Sequence, residues 1–249
     1  MAKKYLKVAL ITGAARRIGA HIATHLHAHG MNIVLHYHRS EKAANALCRG
    51  LNKKRPQSAT IAYADLSVLS DIDALTKKAH QAWGQLDVLV NNASTFYKTP
   101  VGKIKEMEWN TLIDTNLKAP FFLAQSAFPF LKKQKGCIIN IVDIHHTRPM
   151  KDYSVYSISK AGLHMLTLTL AREMGPFVRV NAVSPGAIIW PEGKNTLPEK
   201  QKKKILDHSA MKKAGHPDDI AKAVLFLVND APYVTGQDIA VDGGRSLFI

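Results

Sequence analysis

The sequence has little cysteine: Cys48 and Cys137 are the two in 249 residues, and they form no Cys-x-x-Cys pair. Zinc sites and disulfide frameworks are usually built on such pairs, so neither is expected, and no metal is expected at all. No apolar run is long enough to cross a membrane, and the amino terminus lacks the charged, apolar and cleavage regions of a signal peptide. We therefore expect a cytoplasmic protein with no membrane partner.

Acidic residues are also few: 19 Asp and Glu stand against 34 Lys and Arg, for a formal net charge of +15. A nucleic-acid module usually concentrates such charge on one element, with aromatic residues interleaved. Here the basic clusters are scattered along the chain, mostly at predicted helix ends and loops. We therefore expect no nucleic-acid partner, and we interpret the positive field as one that attracts a polyanionic cofactor.

Short β-branched and apolar runs alternate with helical patterns along the whole chain. Strands are predicted at 7–11, 33–35, 60–64, 86–90, 137–142, 178–183 and 237–241. A long helix is predicted at 109–131, with a kink or split at Pro120. No repeat or linker interrupts the alternation, which predicts an α/β fold: one doubly wound parallel sheet with helices on both faces, over residues 1–249 as a single domain.

The first predicted strand runs into a glycine turn and then a helix. Such a turn is the usual setting of a phosphate site, because helix N-terminal amides bind anions. Gly13 permits the tight turn, and Gly19 lets helix and strand approach closely. The alternative is a tight turn with no ligand. The candidate cofactor contacts in this turn are Gly13, Arg16, Arg17, Ile18 and Gly19.

The second strand ends in His36-Tyr37-His38-Arg39-Ser40. A site that prefers NAD usually has an acidic residue here to hold the ribose 2′-hydroxyl, and this chain has none. An arginine, two histidines and two hydroxyls instead suit a 2′-phosphate, so NADPH is the expected cofactor. The alternative is a polar loop between strand and helix.

Three further strand ends carry candidate contacts. After the third strand, Asp65 either caps the next helix or holds an adenine amino group, and Leu66 follows it. After the fourth, small and amide residues would let a cofactor ribose approach the backbone, and Phe96 is either a stacking platform or a lid. The residues in that stretch are Asn92, Ala93 and Ser94.

Asp143 ends the fifth strand, and Tyr156 and Lys160 follow on one face of a predicted helix. A lysine beside a phenol should lower the phenol pKa from about 10 toward working pH, which makes a usable proton donor. The alternatives are a surface Tyr–Lys pair and, for Asp143, a carboxylate that caps the following loop. Residues 187–216 are predicted to be irregular and long enough to form a substrate lid, with Trp190 at the pocket rim or in the core.

These residues resemble the short-chain dehydrogenase/reductase family over about 7–245. Thr12-Gly13, Asn91-Asn92-Ala93, Asn116, Tyr156-x-x-x-Lys160 and Pro185-Gly186 all follow the family's order and spacing. The resemblance implies a Rossmann-like fold and a homotetramer. It also implies that Asn116 belongs to the catalytic set and that Pro185 and Gly186 contact the cofactor.

Two departures resemble the pteridine reductase branch of that family: Arg17 replaces the middle glycine of the turn, and Asp143 replaces the usual serine thirteen residues before the tyrosine. The resemblance implies that Arg17, Phe96, Asp143 and Tyr156 bind or protonate the substrate and that Lys160 holds the nicotinamide ribose. Ser94 and Trp190 are further candidate substrate contacts. The expected activity is NADPH-dependent reduction of a C=N bond in a dihydropterin. The alternatives are a carbonyl or 3-oxoacyl reductase of the same family and a non-catalytic NADP(H) sensor.

Overall fold

The structure is a computed structural model that describes residues 6–190, 193 and 196–248. Seven parallel strands form one sheet in the order β3-β2-β1-β4-β5-β6-β7. The strands are β1 (Val8–Ile11), β2 (Asn32–Tyr37), β3 (Ala59–Tyr63), β4 (Val88–Asn91), β5 (Cys137–Ile141), β6 (Arg179–Pro185) and β7 (Asp238–Val241). The predicted Rossmann-like, doubly wound parallel sheet is therefore confirmed.

Eight α-helices accompany these strands in the described part of the chain. They are α1 (Arg17–Ala28), α2 (Glu41–Lys54), α3 (Leu69–Gln81), α4 (Glu106–Ile113), α5 (Ala119–Gln134), α6 (Ser154–Met174), α7 (Glu199–Asp207) and α8 (Pro217–Asn229). Successive strand residues point to opposite faces, so β1 supplies Val8 and Leu10 to one apolar core and Ala9 and Ile11 to the other. The first core lies under α3, α5 and α6 and the second under α1, α2 and α8.

The strand order reverses between β1 and β4. Open parallel sheets bind ligands outside the carboxyl ends of the strands at such a switch point. The turns that follow β1 and β4 therefore meet where a site is expected. None of the helices in the described ranges is long and apolar enough to cross a membrane.

Two sequence expectations are wrong in detail. The long helix at 109–131 is two helices, α4 and α5, separated by a π-helical segment at Asp114–Lys118, so the break precedes Pro120, which lies in the first turn of α5. Proline is tolerated there because the amides of the first turn have no partner within the helix. The segment 187–216 is not irregular throughout, since it contains α7; residues 191, 192, 194 and 195 of it lie outside the described residues.

The close approach of α1 to β1 yields a stability prediction. A methyl group on Gly19 would lie 2.4 Å from the Gly13 carbonyl oxygen, whereas one on Gly50 in α2 would meet nothing within 4 Å. Gly19→Ala should lower the free energy of unfolding by about 1–3 kcal/mol because backbone must move. Gly50→Ala, the matched control, should raise it by about 0.5–1 kcal/mol because alanine favours a helix. Urea unfolding midpoints measure both, and equal effects of the two changes would contradict the packing argument.

Candidate active site

The turn after β1 is held to the end of β4 by hydrogen bonds. The Thr12 hydroxyl accepts from the amides of Asn92 and Ala93 at 2.9 and 3.0 Å, and the Asn92 side chain donates to the Thr12 and Gly13 carbonyls at 2.9 and 3.2 Å. Gly13 has a φ of 61°, a left-handed conformation that glycine adopts freely. The two loops therefore form one rigid cradle at the switch point.

Arg17 opens α1 with a φ of 53°. This left-handed conformation suits glycine, and an arginine there costs about 1–2 kcal/mol. Its Nη2 donates to the carbonyls of Ile189 and Trp190 at 3.3 and 3.2 Å. The side chain therefore links the glycine turn to the start of the segment predicted to be a lid.

The side chain of His36 stabilises the glycine turn through a hydrogen bond. Its Nδ1 accepts from the Gly13 amide at 3.0 Å, so the proton resides on Nε2, which lies 3.1 Å from the Ala64 carbonyl. The side chain is 2% exposed, and burial lowers its pKa to about 4. His36 is therefore neutral near pH 7, and the expectation that both histidines meet a phosphate as charged donors is wrong for His36.

The other residues at the ends of β2 and β3 differ in exposure. His38 and Arg39 are exposed, and His38 Nε2 lies 3.6 Å from Asp65 Oδ2. Asp65 accepts from the Ser67 amide and hydroxyl at 2.9 and 2.7 Å, which lowers the pKa of its carboxyl group. This geometry closes the turn before α3, but the N-cap of α3 is Val68 and no side chain caps it, so the expectation that Asp65 caps this helix is wrong. A contact of Asp65 with an adenine amino group stays a prediction.

Asn116 lies in the π-helical segment and is fully buried. Its Oδ1 accepts from the Ser94 hydroxyl and the Thr95 amide at 3.0 and 2.9 Å, and its Nδ2 donates to the Thr95 carbonyl and the Ser159 hydroxyl, each at 3.0 Å. π-Bulges frequently mark functional sites. The side-chain amide positions the loop after β4, and the catalytic part of Asn116 stays a prediction.

Asp143, Tyr156 and Lys160 meet at the end of β5. The Tyr156 hydroxyl donates to Asp143 Oδ2 at 2.7 Å, and Asp143 Oδ1 accepts from the His145 amide at 2.9 Å. The carboxylate therefore caps the 3₁₀ turn Ile144–His146 and binds the tyrosine at once. The capping alternative for Asp143 is confirmed, and its role as a functional group stays a prediction.

The expected effect of Lys160 on the phenol is wrong. The Lys160 ammonium lies 5.8 Å from the centre of the Tyr156 ring and donates to the Ile141 carbonyl at 2.9 Å. Burial and the Asp143 carboxylate raise the pKa of Tyr156 well above its ordinary value, because both disfavour a phenolate. Burial also lowers the pKa of Lys160 to about 8, against the opposing pull of Asp143. Tyr156 is therefore a protonated donor near pH 7.

Phe96 lies against two tyrosine rings. It stacks on Tyr153, with ring centres 4.7 Å apart and 15° between planes, and meets Tyr156 edge to face at 4.8 Å. The face against Tyr153 is covered by protein. Phe96 also lines the cavity described below, where a planar ligand could stack on an aromatic ring.

A cavity of about 590 Å³ joins these groups. Of the predicted residues, those on its lining are Gly13, Arg16, Arg17, Ile18, Gly19, His36, His38, Asp65, Leu66, Asn92, Ala93, Ser94, Phe96, Asp143, Tyr156, Lys160, Pro185, Gly186 and Trp190. Within the described chain, Tyr37 and Ser40 do not line it, and Arg39 lines an adjoining groove with His38 and Asp65. The structure therefore brings together residues from the ends of six strands.

Gly186 is needed for chain packing. A methyl group on it would lie 2.6 Å from the Cα atom of Asp242 at the end of β7. This contact explains a glycine after β6 without any ligand.

The cavity also contains residues that the sequence analysis missed. His145 and Met150 come from the loop before α6, Leu197 and Ile205 from the segment around α7, and Arg245 from beyond β7. Burial lowers the pKa of Arg245, and the nearby carboxylates of Asp143 and Asp242 oppose that shift. The position of Arg245 just after the last strand was a usable signal, because carboxyl ends of strands face the site.

Known proteins resemble this chain over most of its length. A family model described as Enoyl-(Acyl carrier protein) reductase matches residues 13–246. Pteridine reductase 1 of Leishmania tarentolae is 36% identical, covering 96% of both chains. The 3-oxoacyl-[acyl-carrier-protein] reductase FabG of Staphylococcus epidermidis is 37% identical, covering 96% of this chain and 98% of its own. A 3beta-hydroxysteroid dehydrogenase of Eggerthella lenta is 34% identical, covering 97% of this chain and 94% of its own.

The three relatives act on different substrates by name, yet they match this chain almost equally well. What they share is therefore the fold and the oxidoreductase class. The Thr12-Gly13 turn, the Asn91-Asn92-Ala93 run and the Tyr156–Lys160 pair lie around one cavity at the switch point of the sheet. On the sequence matches and this arrangement together, the chain belongs to the short-chain dehydrogenase/reductase family of oxidoreductases.

Proposed function

We propose that the chain is an NADPH-dependent pteridine reductase that reduces a C=N bond of a dihydropterin to the tetrahydro form. The observation that carries the proposal is the Asp143 carboxylate, which accepts a hydrogen bond from the Tyr156 hydroxyl at 2.7 Å. Resemblance to the family leads one to expect a serine at that position. The similarity to pteridine reductase 1 of Leishmania tarentolae supports the same reading.

The chemistry of the substrate explains why a carboxylate suits this position. A ketone offers only acceptor lone pairs, so it needs a hydroxyl donor such as serine. A dihydropterin presents ring N–H groups and an amino group, which are donors, and an ionised carboxylate is purely an acceptor. Asp143 can therefore orient a nitrogen heterocycle that a serine would hold less firmly.

The residues around the switch point fit a dinucleotide cofactor. Gly13 permits the tight turn after β1 and Gly19 lets α1 pack closely on that turn, and Arg16, Arg17 and Ile18 lie at the N-terminus of α1 on the cavity lining. The same cavity is lined by Asp65, Leu66, Asn92, Ala93, Ser94, Lys160, Pro185 and Gly186. NADPH, when bound, would supply the hydride.

The proton that the substrate nitrogen takes up is supplied by residues of the chain itself. Tyr156 is held protonated by burial and by Asp143, so it can donate to the ring nitrogen next to the reduced carbon. Asp143 accepts from the phenol and from the His145 amide, which fixes the orientation of the tyrosine. Asp143 and water then carry a proton back to Tyr156. Lys160, with a pKa of about 8, remains mostly charged near pH 7 and supports the negative charge of the carboxylate.

The substrate ring would stack on Phe96, which lines the cavity, with Trp190 at the rim and residues 187–216 as the lid. Arg17 would hold the lid through the carbonyls of Ile189 and Trp190. Leu197 and Ile205 place part of the lid segment on the cavity wall. These contacts favour a flat, partly apolar ligand with polar edges.

The second candidate is a 3-oxoacyl reductase. The observation in its favour is the 37% identity with the Staphylococcus epidermidis FabG. A sensor that binds NADP(H) without chemistry is the third. Loss of NADPH absorbance with a dihydropterin, with a ketoacyl compound, or with neither separates the three.

The cofactor prediction concerns the loop after β2. His38 and Arg39 are exposed at the position where an NAD-preferring enzyme has an acidic residue that binds the ribose. The kcat/KM for NADPH should therefore exceed that for NADH by at least about tenfold, which corresponds to about 1.4 kcal/mol. Arg39→Ala should lose most of that preference, since one charge-assisted contact is worth that much. Arg49→Ala, an exposed arginine on α2, is the matched control and should keep it. Equal kcat/KM for both cofactors in the unaltered protein would contradict the phosphate interpretation.

The substrate prediction concerns Asp143. The unaltered protein should reduce a dihydropterin well and β-ketoacyl compounds poorly. Asp143→Ser should lose pterin turnover by about 100-fold, the usual scale for a positioned proton-transfer group, while NADPH still binds. Asp143→Asn is the control for shape, because it keeps the size and removes the charge, and it should lose turnover too. If ketoacyl substrates react faster than every pterin tested, the pteridine assignment falls.

The assembly prediction concerns α5 and α6. We infer a homotetramer, and the apolar side chains exposed on these helices are Phe121, Ile158, Met165 and Leu168, whereas Leu163, Leu166 and Leu170 belong to the core. Met165→Glu should shift the protein to smaller species in light scattering, because a charge would enter an apolar contact. Val101→Glu, which alters a still more exposed apolar side chain outside these helices, should leave the mass unchanged. A monomer at micromolar concentration before any change would refute the assembly.

A further inference from the structure

Three side chains from distant parts of the sequence lie close together next to the loop that follows β5. His146 lies in the 3₁₀ turn, His164 on α6 and Asp238 on β7, and we call them the His-His-Asp cluster. Asp238 Oδ2 lies 3.6 Å from His146 Nε2 and 3.2 Å from His164 Nδ1. Among the described residues none of the three lines the cavity of the candidate active site. The proposed reaction therefore leaves this cluster without a role.

The ring of His146 has a fixed tautomer. Its Nδ1 lies 2.7 Å from the Asp143 carbonyl oxygen, and a carbonyl can only accept, so the ring proton is on Nδ1. The Nε2 atom then faces a carboxylate oxygen 3.6 Å away, an arrangement that either a metal ion or a second ring proton between the two atoms would stabilise. A histidine whose other nitrogen donates to a backbone carbonyl is the usual arrangement of a metal ligand.

Within the described residues, only one of the two carboxylate oxygens of Asp238 has a hydrogen-bond partner. Its Oδ2 accepts from the Ser184 hydroxyl at 2.7 Å and lies within hydrogen-bond distance of His164 Nδ1 at 3.2 Å, whereas its Oδ1 is buried with no hydrogen-bond partner within the described residues. The two imidazole rings lie 4.3 Å apart and nearly parallel, which brings one nitrogen of each ring to the same carboxylate oxygen. One metal ion could therefore be bound by both nitrogens and the carboxylate.

The spacing and the donor types specify the ion. The three donor atoms lie within 4.8 Å of one another, with the carboxylate 3.2 and 3.6 Å from the two nitrogens. Ligand atoms of one tetrahedral zinc lie roughly 3.4 Å apart at ordinary Zn–N distances. Two imidazoles suit zinc and its first-row neighbours, whereas calcium and magnesium prefer oxygen ligands.

We infer that His146, His164 and Asp238 bind one divalent transition-metal ion of the zinc class, with water completing the coordination. Ser184 and the Asp143 carbonyl orient the ligands from outside. Because His146 is bonded to the main chain of Asp143, the ion would tie the segment that carries this carboxylate to α6 and β7. The ion is thus structural, and it does not enter the cavity.

The test is zinc binding by the full chain, free of any affinity tag and stripped with a chelator. Titration calorimetry with Zn²⁺ should show a site that His164→Asn and Asp238→Asn each weaken by more than about 100-fold, the upper range for losing a second-shell contact. Zn²⁺ should also raise the thermal midpoint of the unaltered protein and not that of the two variants. Cobalt in the same site should give a visible absorption band that His164→Asn removes.

The matched control is His21→Asn. His21 belongs to a second three-donor group with His216 and Asp218, which is more exposed, and its loss should leave the first site unchanged. Equal zinc affinity and stoichiometry in the unaltered protein and His164→Asn would overturn the inference, as would loss of the cobalt band in His21→Asn. Should Asp238→Asn not fold, His164→Asn decides, because its side chain is 27% exposed and can change without disturbing the core.

Discussion

The arrangement of the candidate active site depends on the two hydrogen bonds that the Asp143 carboxylate accepts, one on each oxygen. One accepts from the backbone at the start of the 3₁₀ turn and the other from the Tyr156 hydroxyl on α6. A single charged group therefore joins the end of β5, the loop after it and the helix that lines the cavity. Charge-assisted hydrogen bonds are roughly twice as strong as neutral ones, so this joint resists movement of the loop.

The sheet could be predicted from the sequence because its physical causes are local. Apolar runs such as Leu10 and its neighbours in β1 are buried on both faces, which is how a central parallel strand reads. The sequence predicts the position of the break between α4 and α5 only approximately. Pro120 signals an interruption, yet the π-helical turn precedes it and contains Asn116, whose amide is bound to the loop after β4. That partner is distant in the chain and leaves no local pattern.

The site could be predicted where residues follow strand ends and could not where tertiary contacts decide their chemistry. The position of His36 could be predicted, since it lies at the end of a strand, beside the glycine turn and on the cavity lining. Its burial and two hydrogen bonds, which make it neutral, depend on Gly13 and Ala64 and are invisible in the sequence. The same holds for His146, His164 and Asp238, whose separation along the chain has no metal-binding spacing.

The pair Tyr156 and Lys160 shows why a spacing argument alone gives the wrong sign. Four residues apart on a helix places two side chains on one face, but it does not say where their polar atoms point. Here the ammonium turns to the Ile141 carbonyl, and the hydroxyl turns to a carboxylate. At 2.7 Å that negative charge, together with burial, outweighs a positive charge nearly 6 Å from the ring. A serine in place of Asp143 would remove the opposing charge and leave the lysine as the nearest ion, so the residue thirteen before the tyrosine decides the proton affinity of the phenol as well as the hydrogen bond offered to the substrate.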